Sequence, residues 1–312
     1  MTDNARISIL QLSDLHILAR PEDTLLGINT EYYFHACLEH AFAGNPPQPP
    51  FFKGGSGAVP SAVSKGGGRI FPSSAFKEES RPFTPPFGKG GLGGDLILLT
   101  GDLAQDPSLE SYRRILTSLE AYQTPCICLP GNHDDYGLMQ QVFNTDSINC
   151  RKQLLLDNWQ VISLNSQIPG EPGGYLSIEE LDFLESCLSE NPGRHALIAI
   201  HHHCWESNSP WMDTMIIENR RELLAIAEKY PQVKVITNGH IHQVMDIKTS
   251  TFRILGTPST CFQFTPGSTE FSVNDMAPGY RLIELYADGR VVSEVIRLPE
   301  PLAELQPNAH GY

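Results

Sequence analysis

Five short clusters of metal-ligating residue types stand out in the 312-residue sequence: Asp14-Leu15-His16, Gly101-Asp102, Gly131-Asn132-His133-Asp134, His201-His202-His203 and Gly239-His240-Ile241-His242. Each alone reads as a turn, a helix cap or a solvated run. Together they do not, because independent turns would not all choose Asp, Asn and His with no Ser or Lys among them. Seven of the 11 histidines lie in these clusters. Carboxylate oxygen, amide oxygen and imidazole nitrogen suit Fe, Mn or Zn. Six or seven such ligands exceed what one tetrahedral site uses, which implies two metal ions. No cysteine falls in the clusters, and that disfavours structural zinc.

Each cluster directly follows an apolar run, so each is expected at the carboxyl end of a strand, where open α/β sheets bind ligands. These runs are residues 7–12, 95–100, 126–129, 195–200 and 233–237. Helices are expected between them. Residues 30–43 carry Tyr33, Phe34, Cys37, Leu38, Ala41 and Phe42 at helical spacing, with Thr30 as N-cap. Residues 108–122, 177–189 and 219–229 read likewise, the second opened by a capping box from Ser177 to Glu180. From residue 244 short β runs alternate with turns, including a hairpin at 287–290. Strands alternating with helices imply βαβ units, and the β-rich tail implies antiparallel additions. The expected fold class is α/β with two sheets.

One segment is compositionally foreign. Residues 45–94 hold 11 of the 26 Gly and nine of the 24 Pro, with six Lys or Arg against two Asp or Glu. The formal charge of −14 is therefore −18 on the remaining chain. The segment echoes itself: PPFFKGGSG at 49–57 recurs as PPFGKGGLG at 85–93. Two copies are too few for a solenoid. Dense Gly and Pro with little apolar content cannot offset the entropy of ordering, so 45–94 is expected to be a disordered insertion in a single domain spanning 1–312. An acidic chain is a poor candidate for non-specific nucleic-acid binding. No apolar run approaches the roughly 20 residues of a spanning helix, and the first residues lack a signal-peptide pattern. Seven scattered cysteines read as reduced thiols, and Cys126 and Cys128 are expected on opposite faces of their strand. The expected location is the cytoplasm.

The clusters, in this order, resemble the calcineurin-like binuclear metallophosphoesterase superfamily, across essentially the whole chain except 45–94. Removing those 50 residues shortens the Asp14-to-Asp102 separation from 88 to 38, a compact β-α-β step. LLGINT at 25–30, TGDLAQD at 100–106, LPGNHD at 129–134, NGHIH at 238–242, TPSTCFQF at 257–264 and APGYR at 277–281 are similar to bacterial class III 3′,5′-cyclic-AMP phosphodiesterases. The resemblance implies a two-sheet αββα sandwich and hydrolysis of cyclic AMP to 5′-AMP by a hydroxide activated between two divalent ions, Fe²⁺ or Mn²⁺. It places one ion on Asp14, His16 and His242, the other on Asn132, His201 and His240, and Asp102 between them. His16, Asp102, Asn132, His133, His201, His240 and His242 would meet the substrate phosphate, with His133 stabilising the transition state or protonating the leaving oxygen. Relatives often carry Asp three residues after the Gly-Asp aspartate. Here that position is Gln105, so Asp106 is the expected partner of His133. Many members have Pro after the histidine run where this chain has Cys204. Asn29 and residues 257–264 are candidates for the nucleotide rim, although Phe262 and Phe264 read first as core. The alternatives are another metallophosphoesterase (for phosphomonoesters, phospholipid head groups or nucleic-acid ends) and a non-catalytic scaffold, which the intact ligand positions disfavour.

Overall fold

The runs preceding the polar clusters are apolar at successive rather than alternate positions, and strands of that kind must be covered on both faces. The computed structural model, which describes residues 6–43 and 94–306, covers them in this way. In chain order the first half comprises β1 (Arg6–Leu12), α1 (Thr30–Ala41), β2 (Leu96–Thr100), α2 (Leu109–Glu120), β3 (Cys126–Leu129), α3 (Tyr136–Val142), β4 (Ile148–Asn149), β5 (Gln153–Leu155) and β6 (Trp159–Ser163). There follow α4 (Ile178–Glu190), β7 (His195–Ile200), a 3-10 turn (Met212–Met215), α5 (Arg220–Lys229) and β8 (Val233–Asn238). The β-rich tail holds β9 (Met245–Lys248), β10 (Arg253–Gly256), β11 (Gln263–Phe264), β12 (Val273–Asn274), β13 (Gly279–Tyr286) and β14 (Val291–Arg297).

Two six-stranded sheets result. The first runs β14-β13-β1-β2-β3-β4, parallel from β1 to β4 with β13 and β14 added antiparallel. The second runs β5-β6-β7-β8-β10-β9, parallel at its centre with antiparallel edges. Their inner faces meet through Ile9, Leu98 and Ile127 on one side and Val161, Leu197 and Val235 on the other. Outside the first sheet, Leu10, Leu12 and Leu99 pack with Phe34 and Leu38 of α1 and Tyr112 and Ile115 of α2. Outside the second, Ile162, Ile198 and Ile236 pack with Leu184 and Leu188 of α4 and Leu223 of α5. The layers are the αββα sandwich expected. Burying each such side chain contributes about 1.5–3 kcal/mol, so the parallel strands are held firmly and their carboxyl ends are fixed in space. A buried polar strut adds register there. Gln11 of β1 donates to Thr100 Oγ1 and accepts from Thr237 Oγ1 of β8, joining the two sheets just below the clusters.

Several local expectations are corrected. Helix α1 is capped by Asn29, whose Oδ1 accepts from Tyr32 N, while Thr30 Oγ1 donates to His16 O. Asn29 Nδ2 donates to Pro21 O, so both ends of its amide are committed to local structure. At α4, Ser177 Oγ accepts from Glu180 N, but the Glu180 carboxylate turns to Asn165 N and Lys152, leaving the capping box half closed. Cys126 and Cys128 share one face of β3, because residues two apart on a strand point the same way; their sulfurs lie 3.8 Å apart and both are free. The insertion expected at 45–94 lies outside the described residues except for Gly94. Among the described residues no helix is long and apolar enough to cross a membrane.

Candidate metal centre

The ends of β1, β2, β3, β7 and β8 converge, and the five clusters meet there. Each strand is followed at once by a reversal that turns a side chain into the crevice between the sheets. Asp14, His16, Asp102, His240 and His242 all take left-handed backbone, with φ of 54°, 49°, 51°, 66° and 45°. The turns are tied to each other: Asp14 N donates to Gly101 O, His16 N to Asp102 O, and Gly239 N to His201 O. Two motif glycines permit the close approach. A Cβ on Gly131 would lie 2.1 Å from Asp102 Oδ1, and one on Gly239 would lie 1.9 Å from Ser13 Oγ and 2.9 Å from Asp14 Oδ2.

Asp14, His16, Asp102, His201, His240 and His242 are all buried, and Asn132 and His133 are half-buried at the mouth. Asp14, His16 and His242 bring one ligand atom each within 4.8 Å of one another, as do Asp14, Asp102 and His201. His201, His202 and His240 form a third such group, and His16, Asp102 and His133 a fourth. Asp102 Oδ2 lies 3.3 Å from His201 Nε2 and 3.9 Å from His16 Nε2, between the two ends of the array. Its Oδ1 accepts from His133 N at 2.9 Å. Asn132 Oδ1 is 3.2 Å from His201 Nε2.

These residues fit a pair of cations. Asp102 Oδ2 and both ring nitrogens of His240 are buried without a hydrogen-bond partner, a cost that a bound ion removes. The outer nitrogens of the other histidines are already committed: His201 Nδ1 donates to Thr100 O and His242 Nδ1 to Phe262 O, while His16 Nδ1 lies 2.8 Å from Gln105 Oε1. With Nδ1 carrying the proton, His16 Nε2 and His242 Nε2 turn lone pairs towards each other across 3.2 Å, which only a positive charge between them makes favourable. Burial pushes His16 down to about 3 and holds His240 and His242 well below the usual histidine range, so all three imidazoles are neutral near pH 7. Burial pushes Asp14 up to about 7 although His201 opposes it. Asp102 stays well below the carboxylate range despite its burial, because His201, His133 and His16 surround it. His201 is raised to about 9 against its burial by the Asp102 carboxylate.

A model of the calcineurin-like phosphoesterase family matches residues 7–244. The chain belongs to that family. This phosphoesterase is 34% identical to the 3′,5′-cyclic adenosine monophosphate phosphodiesterase CpdA of Escherichia coli K12, over 100% of its own length and 97% of the relative's. It is 37% identical to the CpdA of Pseudomonas aeruginosa over 99% and 96% of the two chains. To a 3′,5′-cyclic-nucleotide phosphodiesterase of Nostoc it is 35% identical over 97% and 96%. Among solved structures it is similar in fold to a dimetal phosphatase from Danio rerio, with a TM-score of 0.52 at 11% identity, covering 93% of this chain and 98% of that one.

One expected site residue of the phosphoesterase is not brought in. Asp106 is exposed, and its described polar contact is its carbonyl, which accepts from Ser111 Oγ. Gln105 N donates to Ile17 O, and this pairing sends the Gln105 side chain inward to His16 and leaves Asp106 outside. Other supporting residues went unread. Asp134, buried, accepts from Leu103 N, Ala104 N, Gly131 N and Tyr112 Oη, clamping the loop of Asp102 to the loop of Asn132 and His133. Its place in the Gly-Asn-His-Asp cluster was the available signal. His202 rests on Ser166 Oγ through Nδ1, and His203 pairs with Asp213 at 3.2 Å. Phe262 and Phe264 are core, as expected, but they also wall the site: Phe264 stacks on His242 with centroids 4.1 Å apart.

Proposed function

We propose that this chain hydrolyses 3′,5′-cyclic AMP to 5′-AMP in the cytoplasm, using two divalent ions, Fe²⁺ or Mn²⁺, in one domain interrupted by residues 45–94. The observation that carries the reading is full-length likeness, at 34–37% identity, to relatives bearing that activity in their names. The site supports it. Asp14, His16 and His242 would hold one ion, Asn132, His201 and His240 the other, and Asp102 would reach both through its unpartnered Oδ2. Oxygen and imidazole donors without thiolate favour Fe²⁺ and Mn²⁺. When bound, such ions generate hydroxide near neutral pH and neutralise charge on a phosphodiester undergoing in-line displacement.

The protein's own groups supply the rest. The candidate ligands are buried, with Asn132 and His133 half-buried at the mouth. As the new P–O bond forms, the P–O3′ bond breaks, and the 3′ oxygen takes a proton. We assign that proton to His133, a reading supported by its main-chain bond to Asp102 and its ring 5.0 Å from that of His16. The test is turnover of a panel with added Mn²⁺ or Fe²⁺: 3′,5′-cyclic AMP, 2′,3′-cyclic AMP, p-nitrophenyl phosphate and bis-p-nitrophenyl phosphate. The expected result is 5′-AMP from the first. No hydrolysis of 3′,5′-cyclic AMP by protein carrying two metal equivalents rejects the proposal.

A further inference from the structure

Three of the four proposed ligand histidines share one arrangement. Nε2 faces the centre and Nδ1 is committed behind it, for His201 to Thr100 O, for His242 to Phe262 O and for His16 to Gln105 Oε1. His240 departs from it: its ring is buried, and neither Nδ1 nor Nε2 has a hydrogen-bond partner. A cation takes one lone pair from a neutral imidazole, and the opposite nitrogen then carries the proton. One buried N–H on His240 is therefore left over, and a buried donor with nothing to accept from it is costly.

The group beside it is His202, fully buried, with its ring centroid 4.6 Å from that of His240. One ring nitrogen from each, with one from His201, lie within 4.8 Å of one another. His202 Nε2 has no hydrogen-bond partner. Its Nδ1 lies 2.8 Å from Ser166 Oγ, and the Pro172 carbonyl also faces the ring. A carbonyl only accepts, and Nε2 is unpartnered, so the proton belongs on Nδ1 and Nε2 presents a lone pair. His203 cannot serve instead. Its Nε2 is taken by Asp213 at 3.2 Å, and its ring stacks at 22° and 5.7 Å from that of His240, which turns its in-plane lone pairs past that ring. Counting nitrogens decides between two roles for His202. As a further ligand it would leave the second nitrogen of His240 orphaned; as acceptor of the His240 proton it leaves neither ring unsatisfied. We propose that His202 is a positioning residue that accepts a hydrogen bond from His240, fixing the tautomer and aim of that ring through a chain from His240 to His202 to Ser166. This inference rests on the two-ion reading above.

The experiment titrates Mn²⁺ by calorimetry into metal-free wild type, His202→Leu and His202→Gln, with the unfolding midpoint of each metal-free protein verified. Leucine keeps the bulk and removes the acceptor, whereas glutamine keeps an acceptor. His202→Leu should weaken one of two Mn²⁺ sites about 10–100-fold and leave the other unchanged, and His202→Gln should recover most of the loss. A second readout needs no variant to fold: nitrogen NMR of histidine-labelled wild type loaded with Zn²⁺, which imidazole also suits. His202 is expected to carry its proton on Nδ1, with a His240 N–H protected from exchange with solvent. A proton on His202 Nε2, or a metal-shifted Nε2, overturns the proposal. So do wild-type affinities at both sites in His202→Leu, equal weakening of both sites, or a glutamine variant as weak as the leucine one. In all these cases wild type that binds two Mn²⁺ ions leaves the two-ion reading standing. Wild type that binds fewer than two removes that reading, and the positioning role with it.

Discussion

Replacing Gly131 by alanine tests whether the geometry of the centre depends on how closely two loops approach. Gly131 has no left-handed φ, so alanine carries no backbone penalty there. The obstacle is space. The added Cβ would lie 2.1 Å from Asp102 Oδ1 and 2.3 Å from Asp102 N, whereas ordinary contact begins near 3.4 Å. A side-chain rotation relieves the first clash but not the second, so the loops must part by about 1 Å, well beyond the roughly 0.5 Å tolerance of a functional constellation. Parting them stretches the bonds from Gly131 N, Leu103 N and Ala104 N to the Asp134 carboxylate. Overpacking and weakened charge-assisted bonds together cost about 3 kcal/mol, and displacement of Asp102 should lower metal affinity about 10–100-fold. The assay is urea unfolding of metal-free protein beside Mn²⁺ titration. Gly173→Ala is the control, because its Cβ meets nothing closer than Met215 Cα at 3.9 Å; it should shift stability by less than about 0.5 kcal/mol. If Gly131→Ala matches that control in both stability and metal affinity, the close-approach argument is wrong.

Two further perturbations separate support of the ligands from support of the fold. Gln105→Leu removes the acceptor facing His16 Nδ1 and frees the ring to change tautomer; calorimetry should show about tenfold weaker binding at one of two Mn²⁺ sites, with Gln105→Glu retaining affinity. Asp213 is held down to about 2, against its burial, by its bonds to His203 and Ser207. Its folded pKa lies below its unfolded value, so its contribution to stability is present above about pH 4 and is lost as pH falls through 2. Because the carboxylate is partly exposed, about 1 kcal/mol is expected after screening. Asp213→Asn should flatten the acid limb of the stability–pH curve by that amount, and a curve superimposable on wild type from pH 7 to 2 would remove Asp213 from the account.

What could be read from the sequence was whatever is local. Apolar runs such as Leu96–Thr100 and His195–Ile200 are buried on both faces, so their β character and the ligand-rich turn after each were both visible. Candidate ligands could be proposed because metal chemistry restricts residue type at each strand end, and the fold brings those residues together. What could not be read depends on contacts between distant segments. Asp106 looked like a partner for His133 because an acid was needed and one was near in sequence; the pairing of Gln105 N with Ile17 O decides which of the two faces inward, and no periodicity encodes it. Tyr112 is a buried aromatic of α2 whose hydroxyl donates to Asp134 and accepts from Asp135 N, a contact no local pattern announces. The strands β4 to β6 went unassigned because two are only two or three residues long and the third, Trp159–Ser163, mixes a buried Gln with apolar residues.

The backbone strain at the centre shows where its stability must come from. Among the described residues, five of the nine non-glycine residues with positive φ are Asp14, His16, Asp102, His240 and His242. Each such conformation costs about 1 kcal/mol or more, so the three loops that carry them would relax if left to their own preferences. They are held from outside: by the Gln11 strut between the sheets, by the Asp134 clamp between two loops, and by Ser259 Oγ donating to Asp14 O. None of those three is among the proposed ligands, and their partners come from β1, β2, β3 and β8 and the segment after β10. A cluster of side chains that is strained locally and restrained remotely cannot slip residue by residue; it is either assembled or lost as a unit. This means that substitutions which damage the site without touching a ligand should cluster at these supports and not along the helices.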